Sequence, residues 1–235
     1  MLIKKFMFNG GIMENYQKKS KLVAALATLG LLSVVGTAQA TLFEIDFTTA
    51  GAFSGTAPSS PGSNTIFATA IFDDHNSSGT VTLTMSVLNN LSSGAYVNDW
   101  YFNSSTAPLT SINFVSGTQA LTVDNGTNAF KADGTGGDFD FAFHFPTNSP
   151  GELAQGHTSV YTLIDTGITA NSFNSSSVNG GPYVSALHVQ GYGNSVWTSG
   201  TGLIQIPQNP VPEPATLALL GLGLFTLGVT RRRKQ

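Results

Sequence analysis

The chain has 235 residues without a single cysteine, which excludes disulfides, cysteine-ligated zinc and a thiol nucleophile. Nine of its ten basic residues lie among the first 21 or the last five residues, so residues 41–210 contain one lysine against eleven carboxylates. Such an acidic segment repels phosphate backbones and therefore disfavours a nucleic-acid partner.

The first 40 residues have the three parts of a secretory signal peptide. A lysine cluster ends at Lys21, a mostly apolar run of 14 residues follows over Leu22–Val35, and Ala38 and Ala40 form a small-residue cleavage site. As a helix this run reaches about 21 Å, short of the roughly 30 Å hydrocarbon core of a bilayer. We therefore predict cleavage by signal peptidase after Ala40. Met13 is an alternative start, because residues 13–40 already make a complete signal.

Residues 41–206 are predicted to form one acidic domain of β-strands. Apolar and polar residues alternate with a period of two in several segments. Phe43, Ile45 and Phe47 share one face, Thr80–Val87 alternates apolar residues with hydroxyl residues, and every second residue of Asp138–Phe145 is a phenylalanine. Short strands with one apolar face favour an all-β fold, here an antiparallel β-sandwich of jelly-roll type.

A tight turn is predicted at Asn125-Gly126. This dipeptide lies between Leu121–Val123 and Asn128–Phe130, and Asn-Gly between strand segments is a strong hairpin signal. No segment of the domain has convincing helical periodicity.

A glycine-rich segment offers candidate calcium ligands in Asp133, Asp138 and Asp140. Calcium takes six to eight oxygen ligands on flexible backbone, and this segment supplies several. The spacing is not that of an EF-hand, and a plain turn with exposed aspartates is the alternative. His144 shares a predicted strand face with Asp140, which allows an ion pair or a metal corner, although no histidine pair has zinc spacing.

Three aromatic residues are candidates for stacking on sugar rings: Trp100, Tyr101 and Trp197. Aromatic faces combine apolar area with a polar tip, and packing in the core or at a sheet edge is the alternative. Glu44 and Asp46 resemble the beginning of a carboxylate motif of jelly-roll glycosidases, but no carboxylate follows where the motif requires one. Because the common hydrolase and nucleotide-binding motifs are also missing, we predict a non-enzymatic domain without a cofactor.

The last 29 residues have three parts in a fixed order. Residues 207–214 form a proline-rich stalk that favours extended backbone. Residues 215–230 carry no charge and are predicted to form a short transmembrane helix of about 24 Å. Residues 231–235 are a basic tail that holds this end on the cytoplasmic side, and the basic stop consists of Arg231, Arg232, Arg233 and Lys234.

This C-terminal arrangement resembles the PEP-CTERM sorting signal, whose motif corresponds here to Val211, Pro212, Glu213 and Pro214. The resemblance implies recognition by an exosortase, a membrane-embedded cysteine transpeptidase or protease, and cleavage near the motif. It also implies a Gram-negative envelope and, often, a biofilm-forming cell that produces exopolysaccharide.

Part of the middle domain is also similar to a recurring domain of PEP-CTERM proteins. The similar segments are Gly137–Phe141, Phe145–Thr147 and Ala186–Gly191, followed by Trp197. The expected protein is thus a non-enzymatic, exported protein of the cell surface or extracellular matrix, held for a time in the inner membrane. The alternative is a β-sandwich that binds exopolysaccharide, with calcium as a candidate ligand.

Overall fold

The computed structural model describes residues 41–56, 61–62, 64–191 and 194–207. The predicted signal peptide, the sorting motif, the transmembrane helix and the basic tail lie outside these residues. The described part is all-β and antiparallel, which confirms the predicted fold class at this level. Its one helical element is a single 3₁₀ turn over Ala170–Phe173.

The described residues form eleven strands. In chain order they are β1 (Thr41–Gly55), β2 (Ile66–Asp73), β3 (Thr80–Val87), β4 (Tyr96–Phe102), β5 (Ser111–Gly117), β6 (Thr122–Lys131), β7 (Asp138–His144), β8 (Leu153–Ala154), β9 (Thr158–Ile164), β10 (Ser185–Gly191) and β11 (Asn194–Pro207). Pro207, predicted as the first residue of the stalk, is the last residue of β11 and pairs with Thr41.

All of these strands belong to one continuous sheet, not to the two separate sheets that were predicted. The order is β5-β9-β3-β2-β1-β11-β10-β4-β7-β6, and β8 pairs with β4. One half of the sheet consists of β5, β9, β3, β2 and β1, and the other consists of β11, β10, β4, β7 and β6. The two halves are joined by the long strands β1 and β11, which pair from Thr41–Pro207 to Gly55–Val196.

The sheet curls until its halves face each other. Phe47 of β1 and Trp100 of β4 have ring centroids 5.2 Å apart, although three strand steps separate these strands along the sheet. Three steps correspond to about 14 Å in a flat sheet. Phe143 of β7 and Tyr161 of β9, near opposite ends of the strand order, are only 4.7 Å apart. The sheet is therefore nearly closed into a barrel around one core.

The two edge strands of the curled sheet are joined by a side chain. Asn125 of β6 accepts a hydrogen bond from the Leu109 N–H at 3.0 Å and donates one to the Leu109 carbonyl at 2.6 Å. Leu109 lies just before β5. The side-chain amide of Asn125 thus takes the place of one backbone N–H and one backbone C=O in the hydrogen-bond ladder. It leaves fewer unpaired backbone groups at the two edges of the sheet.

The predicted hairpin at Asn125-Gly126 is wrong. These residues lie within a single strand, β6, that pairs with β7 at Asn125–Phe141 and again at Phe130–Phe139. The extra residues between the two pairs form a bulge, which Asn128 completes with a left-handed φ of 50°. The left-handed residue of this bulge is Asn128 and not a member of the Asn-Gly pair, and asparagine tolerates positive φ better than most residues do.

The main core lies between the facing halves. Phe43, Ile45 and Phe47 are fully buried there, as predicted. So are Phe141 and Phe143, whereas Phe139 was predicted on the same face and lies elsewhere. Phe139 pairs with Phe130, on the far side of the β6 bulge from Asn125. The bulge shifts the alternation of side chains, so Phe139 faces the other side of the sheet.

Phe139 belongs to a second cluster on the outward face of β4, β7, β10 and β11, which we call the outer cluster. Its buried members are Tyr101, Ala132, Phe139, Ala142, Ala186 and Trp197. Tyr101 points outward because its neighbours Trp100 and Phe102 fill the main core. Among the described residues, no helix has the length and hydropathy needed to cross a membrane.

Candidate functional site

Five neighbouring strands each contribute one side chain to a continuous line of hydrogen bonds beside the outer cluster. In sheet order the line runs Ser195 (β11), His188 (β10), Asp99 (β4), His144 (β7) and Asp124 (β6). We call this line the polar chain. It forms because the strand register sets Asp99 beside both His188 and His144.

The contacts of the polar chain are short. Ser195 Oγ lies 2.6 Å from His188 Nε2, and His188 Nδ1 lies 2.9 Å from Asp99 Oδ2. The other oxygen of Asp99 lies 2.6 Å from His144 Nδ1, and His144 Nε2 lies 3.2 Å from Asp124 Oδ2. One carboxylate therefore orients two imidazoles.

Ionisation follows from these partners. Burial raises the pKa of Asp99, but the hydrogen bonds from His144 and His188 outweigh burial and lower the pKa to about 2. The hydrogen bond to Asp99 raises the pKa of His144 above its usual value, although burial opposes this shift. Ionised Asp99 accepts from both rings, and protonated His144 can donate to a carboxylate from each nitrogen.

The polar chain is shielded in its middle and open at its ends. The side chains of Asp99 and His188 are 15% and 11% exposed, whereas Asp124 is 49% exposed. Ser195 is exposed at the other end. Trp197 covers His188 with its ring at 4.5 Å and an interplanar angle of 6°. The imidazole is therefore fixed by stacking as well as by hydrogen bonds.

The site could be found only in part from the sequence. His144 was placed on a face with Asp140, but its carboxylate partners are Asp99 and Asp124. Asp99 lies 45 residues from His144 and 89 residues from His188. The large apolar residues Trp100 and Phe102 could have indicated that Asp99 is not on their face of the strand, but no local signal gives the register that joins it to two other strands.

The three predicted calcium ligands have separate partners. Asp133 accepts a hydrogen bond from Ser54 Oγ, and Asp138 accepts one from the Asn179 side chain. Asp140 is buried and accepts from the backbone N–H groups of Ser104 and Asn128. No group of three or more His, Asp or Glu side chains within the described part of the chain could hold a metal ion. Asp140 is a structural residue that fixes the β6 bulge.

This role predicts a large difference between two of the aspartates. Asp140→Ala should lower the free energy of unfolding by about 2 kcal/mol, because two N–H groups lose a charged acceptor. Asp133→Ala, the matched control at an exposed hydrogen bond, should change it by less than about 0.5 kcal/mol. Urea unfolding followed by circular dichroism measures both changes, and equal effects would contradict the assignment.

The candidate sugar-stacking residues do not offer open faces. Trp100 has no exposed surface and donates from Nε1 to Ser185 Oγ at 3.2 Å. This burial corrects its prediction as a sugar-contacting residue, because both ring faces pack in the main core. Tyr101 and Trp197 are also buried, and they pack on each other with centroids 5.2 Å apart. Stacking by these residues would require the outer cluster to open.

Glu44 and Asp46 lie side by side on the outward face of β1, since Phe43, Ile45 and Phe47 face the main core. Burial raises the pKa of both groups, and the charge of Asp46 raises that of Glu44 further. Asp46 Oδ1 is buried without a hydrogen-bond partner in the structure. The pair therefore lies on a partly desolvated face of the strand, and not on the solvated face that is the alternative to a glycosidase motif.

The comparisons with known proteins concern a segment outside the described residues. Residues 210–234 match the family model of the PEP-CTERM protein-sorting motif. No curated protein and no solved structure matches the chain significantly.

Proposed function

We propose that this chain, which carries the PEP-CTERM protein-sorting motif, is an exported protein of the cell envelope that an exosortase processes. Its β domain is delivered to the outer surface or extracellular matrix of a Gram-negative cell. The matched motif at residues 210–234 is the single observation that carries this proposal. A predicted signal peptide at the other end of the chain agrees with it.

The C-terminal tail, residues 207–235, has the features of a temporary membrane anchor. Its uncharged segment, residues 215–230, is short for a membrane span and contains three glycines, which weaken a helix. The basic stop after it keeps the end of the chain in the cytoplasm. The stalk before it is rich in proline, which favours extended backbone, and extended backbone suits the cleft of a protease. We propose that the inner membrane holds the protein until the exosortase cleaves near Pro212-Glu213-Pro214.

The composition of the β domain suits an extracellular location. It carries one lysine against eleven carboxylates between residues 41 and 210, and a surface of one charge sign resists association. A domain of this size can bury enough surface to fold without disulfides. The expectation that this domain has no enzymatic activity stays a prediction.

Replacement of Pro212, Glu213 and Pro214 by alanine should abolish sorting. The wild-type chain should lose its C-terminal segment in the envelope, whereas the triple variant should keep Gln235 and stay in the inner-membrane fraction. Fractionation and intact-mass spectrometry of each fraction measure this result in a host that encodes the exosortase.

The matched control is Gln208→Ala with Asn209→Ala, two changes just before the matched segment. This control should be sorted as the wild type is. Surface-located wild-type protein that still ends at Gln235 would refute the sorting proposal.

Binding to exopolysaccharide, with or without calcium, stays a prediction. The proposed stacking residues are covered, so this interaction would need another surface. The outward face of β3 and β9 carries hydroxyl groups on adjacent strands, with Thr82 paired to Thr162. Such a row can donate and accept hydrogen bonds with sugar hydroxyls, and it is the surface that we favour for this second role.

A further inference from the structure

We propose that Ser195 is a nucleophile toward carboxylic esters, with His188 as its general base and Asp99 as the residue that positions the base. This activity goes beyond sorting to the envelope. It would also overturn the expectation that the domain is not an enzyme.

The geometry is that of an activated hydroxyl. The Ser195 Oγ to His188 Nε2 distance is 2.6 Å, and the His188 Nδ1 to Asp99 Oδ2 distance is 2.9 Å. When His188 is neutral, the tautomer that satisfies both contacts carries its proton on Nδ1. Nε2 then accepts the serine proton. A nucleophile, a base and a group that orients the base, joined in this order, are the minimal set for nucleophilic catalysis by serine.

The three side chains are held by rigid neighbours. They come from the adjacent strands β11, β10 and β4, and Trp197 stacks on the His188 ring. His144 occupies the second oxygen of Asp99 and so limits its rotation. The backbone of Ser195 is held in turn, because its carbonyl accepts the Thr56 N–H at 3.2 Å. Sites built on strands keep their geometry better than sites on loops.

The backbone around Ser195 also leaves no room for a side chain at position 55 of β1. Gly55 has a φ of 84°, and a Cβ at this position would lie 2.1 Å from the Ser195 carbonyl oxygen. Only glycine permits this close approach of β1. The chain therefore crosses next to Ser195 without covering it, and the residue remains exposed.

Exposure determines the class of substrate. A hydroxyl on an open strand surface can meet a large alcohol portion, but it offers little area to bury a long acyl chain. The substrate class that we infer is an ester with a small acyl group. The His188 side chain is shielded, with 11% of it exposed, whereas the serine hydroxyl that it activates is accessible.

The reaction balances with water as the only co-substrate. Ser195 Oγ bonds to the acyl carbon while its proton moves to His188 Nε2. The bond from the acyl carbon to the alcohol oxygen then breaks, and the alcohol leaves with that proton. Water then attacks the acyl carbon and gives one proton to Nε2. The bond from the acyl carbon to Ser195 Oγ breaks, the acid leaves, and Oγ takes that proton from Nε2. Ester and water become acid and alcohol.

The first test is labelling of the purified full chain with a fluorophosphonate probe, followed by peptide mapping. One phosphonate should attach to Ser195, and p-nitrophenyl acetate should be hydrolysed above background. Ser195→Ala should abolish both signals, and His188→Gln should slow them by about 100-fold or more. Ser54→Ala is the control. The hydroxyl of Ser54 donates to the Asp133 carboxylate at 3.0 Å and not to a histidine, so its loss should leave both signals unchanged.

The role of Asp99 needs a readout beyond the rate. In Asp99→Asn the amide can donate its own N–H to Nδ1, which moves the His188 proton to Nε2. Labelling should then fall while circular dichroism shows an intact fold, and nitrogen-15 NMR should show the changed tautomer. An unchanged tautomer together with unchanged labelling would overturn the role of Asp99.

A second variant uses the absence of cysteine in the chain. Ser195→Cys creates a single thiol beside His188, and a histidine partner lowers the pKa of a thiol. Its alkylation by iodoacetamide at pH 6 should be at least about 10-fold faster than that of the matched variant Ser54→Cys. Equal alkylation rates would refute activation. So would a folded wild-type chain in which Ser195 takes no phosphonate, or takes it equally in His188→Gln.

Discussion

Trp100→Ala should lower the free energy of unfolding by about 4 kcal/mol, which is a large share of the stability of an ordinary domain. Trp100 packs edge-on against Phe47 at 5.2 Å and stacks on Phe102 at 5.8 Å. It thereby joins the two facing halves of the sheet. Its removal would leave a cavity where the halves meet and would take away the hydrogen bond that the Ser185 hydroxyl accepts, while this hydroxyl still donates to the Tyr101 carbonyl. Chemical unfolding followed by far-ultraviolet circular dichroism measures the loss.

Trp100→Phe is the control for this prediction. It keeps an aromatic ring between the two halves and loses the indole N–H and part of the volume, so its cost should be about 2 kcal/mol. A loss below about 1 kcal/mol for Trp100→Ala would show that the halves do not depend on this contact.

Asp99→Ala should lower the free energy of unfolding by about 2 to 3 kcal/mol near pH 5, because two imidazoles lose their common acceptor. The variant should also change the pH dependence of stability. The pKa of Asp99 lies at about 2 in the folded chain, below its ordinary 3.8, so its contribution is complete above pH 3.8 and is lost as the pH falls toward 2.

His144 acts in the opposite direction. Its pKa is raised above 6.5, so its contribution is complete below pH 6.5 and is lost as the pH rises through the folded pKa. The polar chain therefore stabilises the fold most between about pH 4 and pH 6.5. In Asp99→Ala both slopes of the stability profile should flatten. Unfolding free energies from pH 2 to pH 9 test this expectation.

The matched control is Asp73→Ala. Asp73 pairs with His75 at 3.2 Å, but the histidine side chain is 62% exposed, and such exposed pairs contribute little. Its removal should cost less than about 0.5 kcal/mol and leave the profile unchanged. Equal profiles for the two variants would show that the polar chain is not a special source of stability.

Faces of strands were predictable where each strand obeys a period of two. Phe43, Ile45 and Phe47 are buried as expected, since side-chain direction in a strand depends only on local geometry. The prediction failed at Phe139 and at Asn125-Gly126, where a bulge breaks the period. A bulge is a property of two paired strands, so one strand alone does not reveal it.

The number of sheets could not be predicted either. Alternating strands suit two stacked sheets and one curled sheet equally, since both bury one face of every strand. The length of β1 and β11, which pair across both halves, and the edge contact made by Asn125 decide between them. Both depend on partners far away in the chain.

The sequence by itself determined the sorting motif and the charge of this protein, together with the all-β class of its domain. These properties depend on composition and on short linear motifs, such as residues 210–234, which act without a folded context. Only the tertiary structure decided that Ser195, His188, Asp99 and His144 form one line. Their juxtaposition depends on the register of four strands, and register is a collective outcome of pairing and core packing that no single segment encodes.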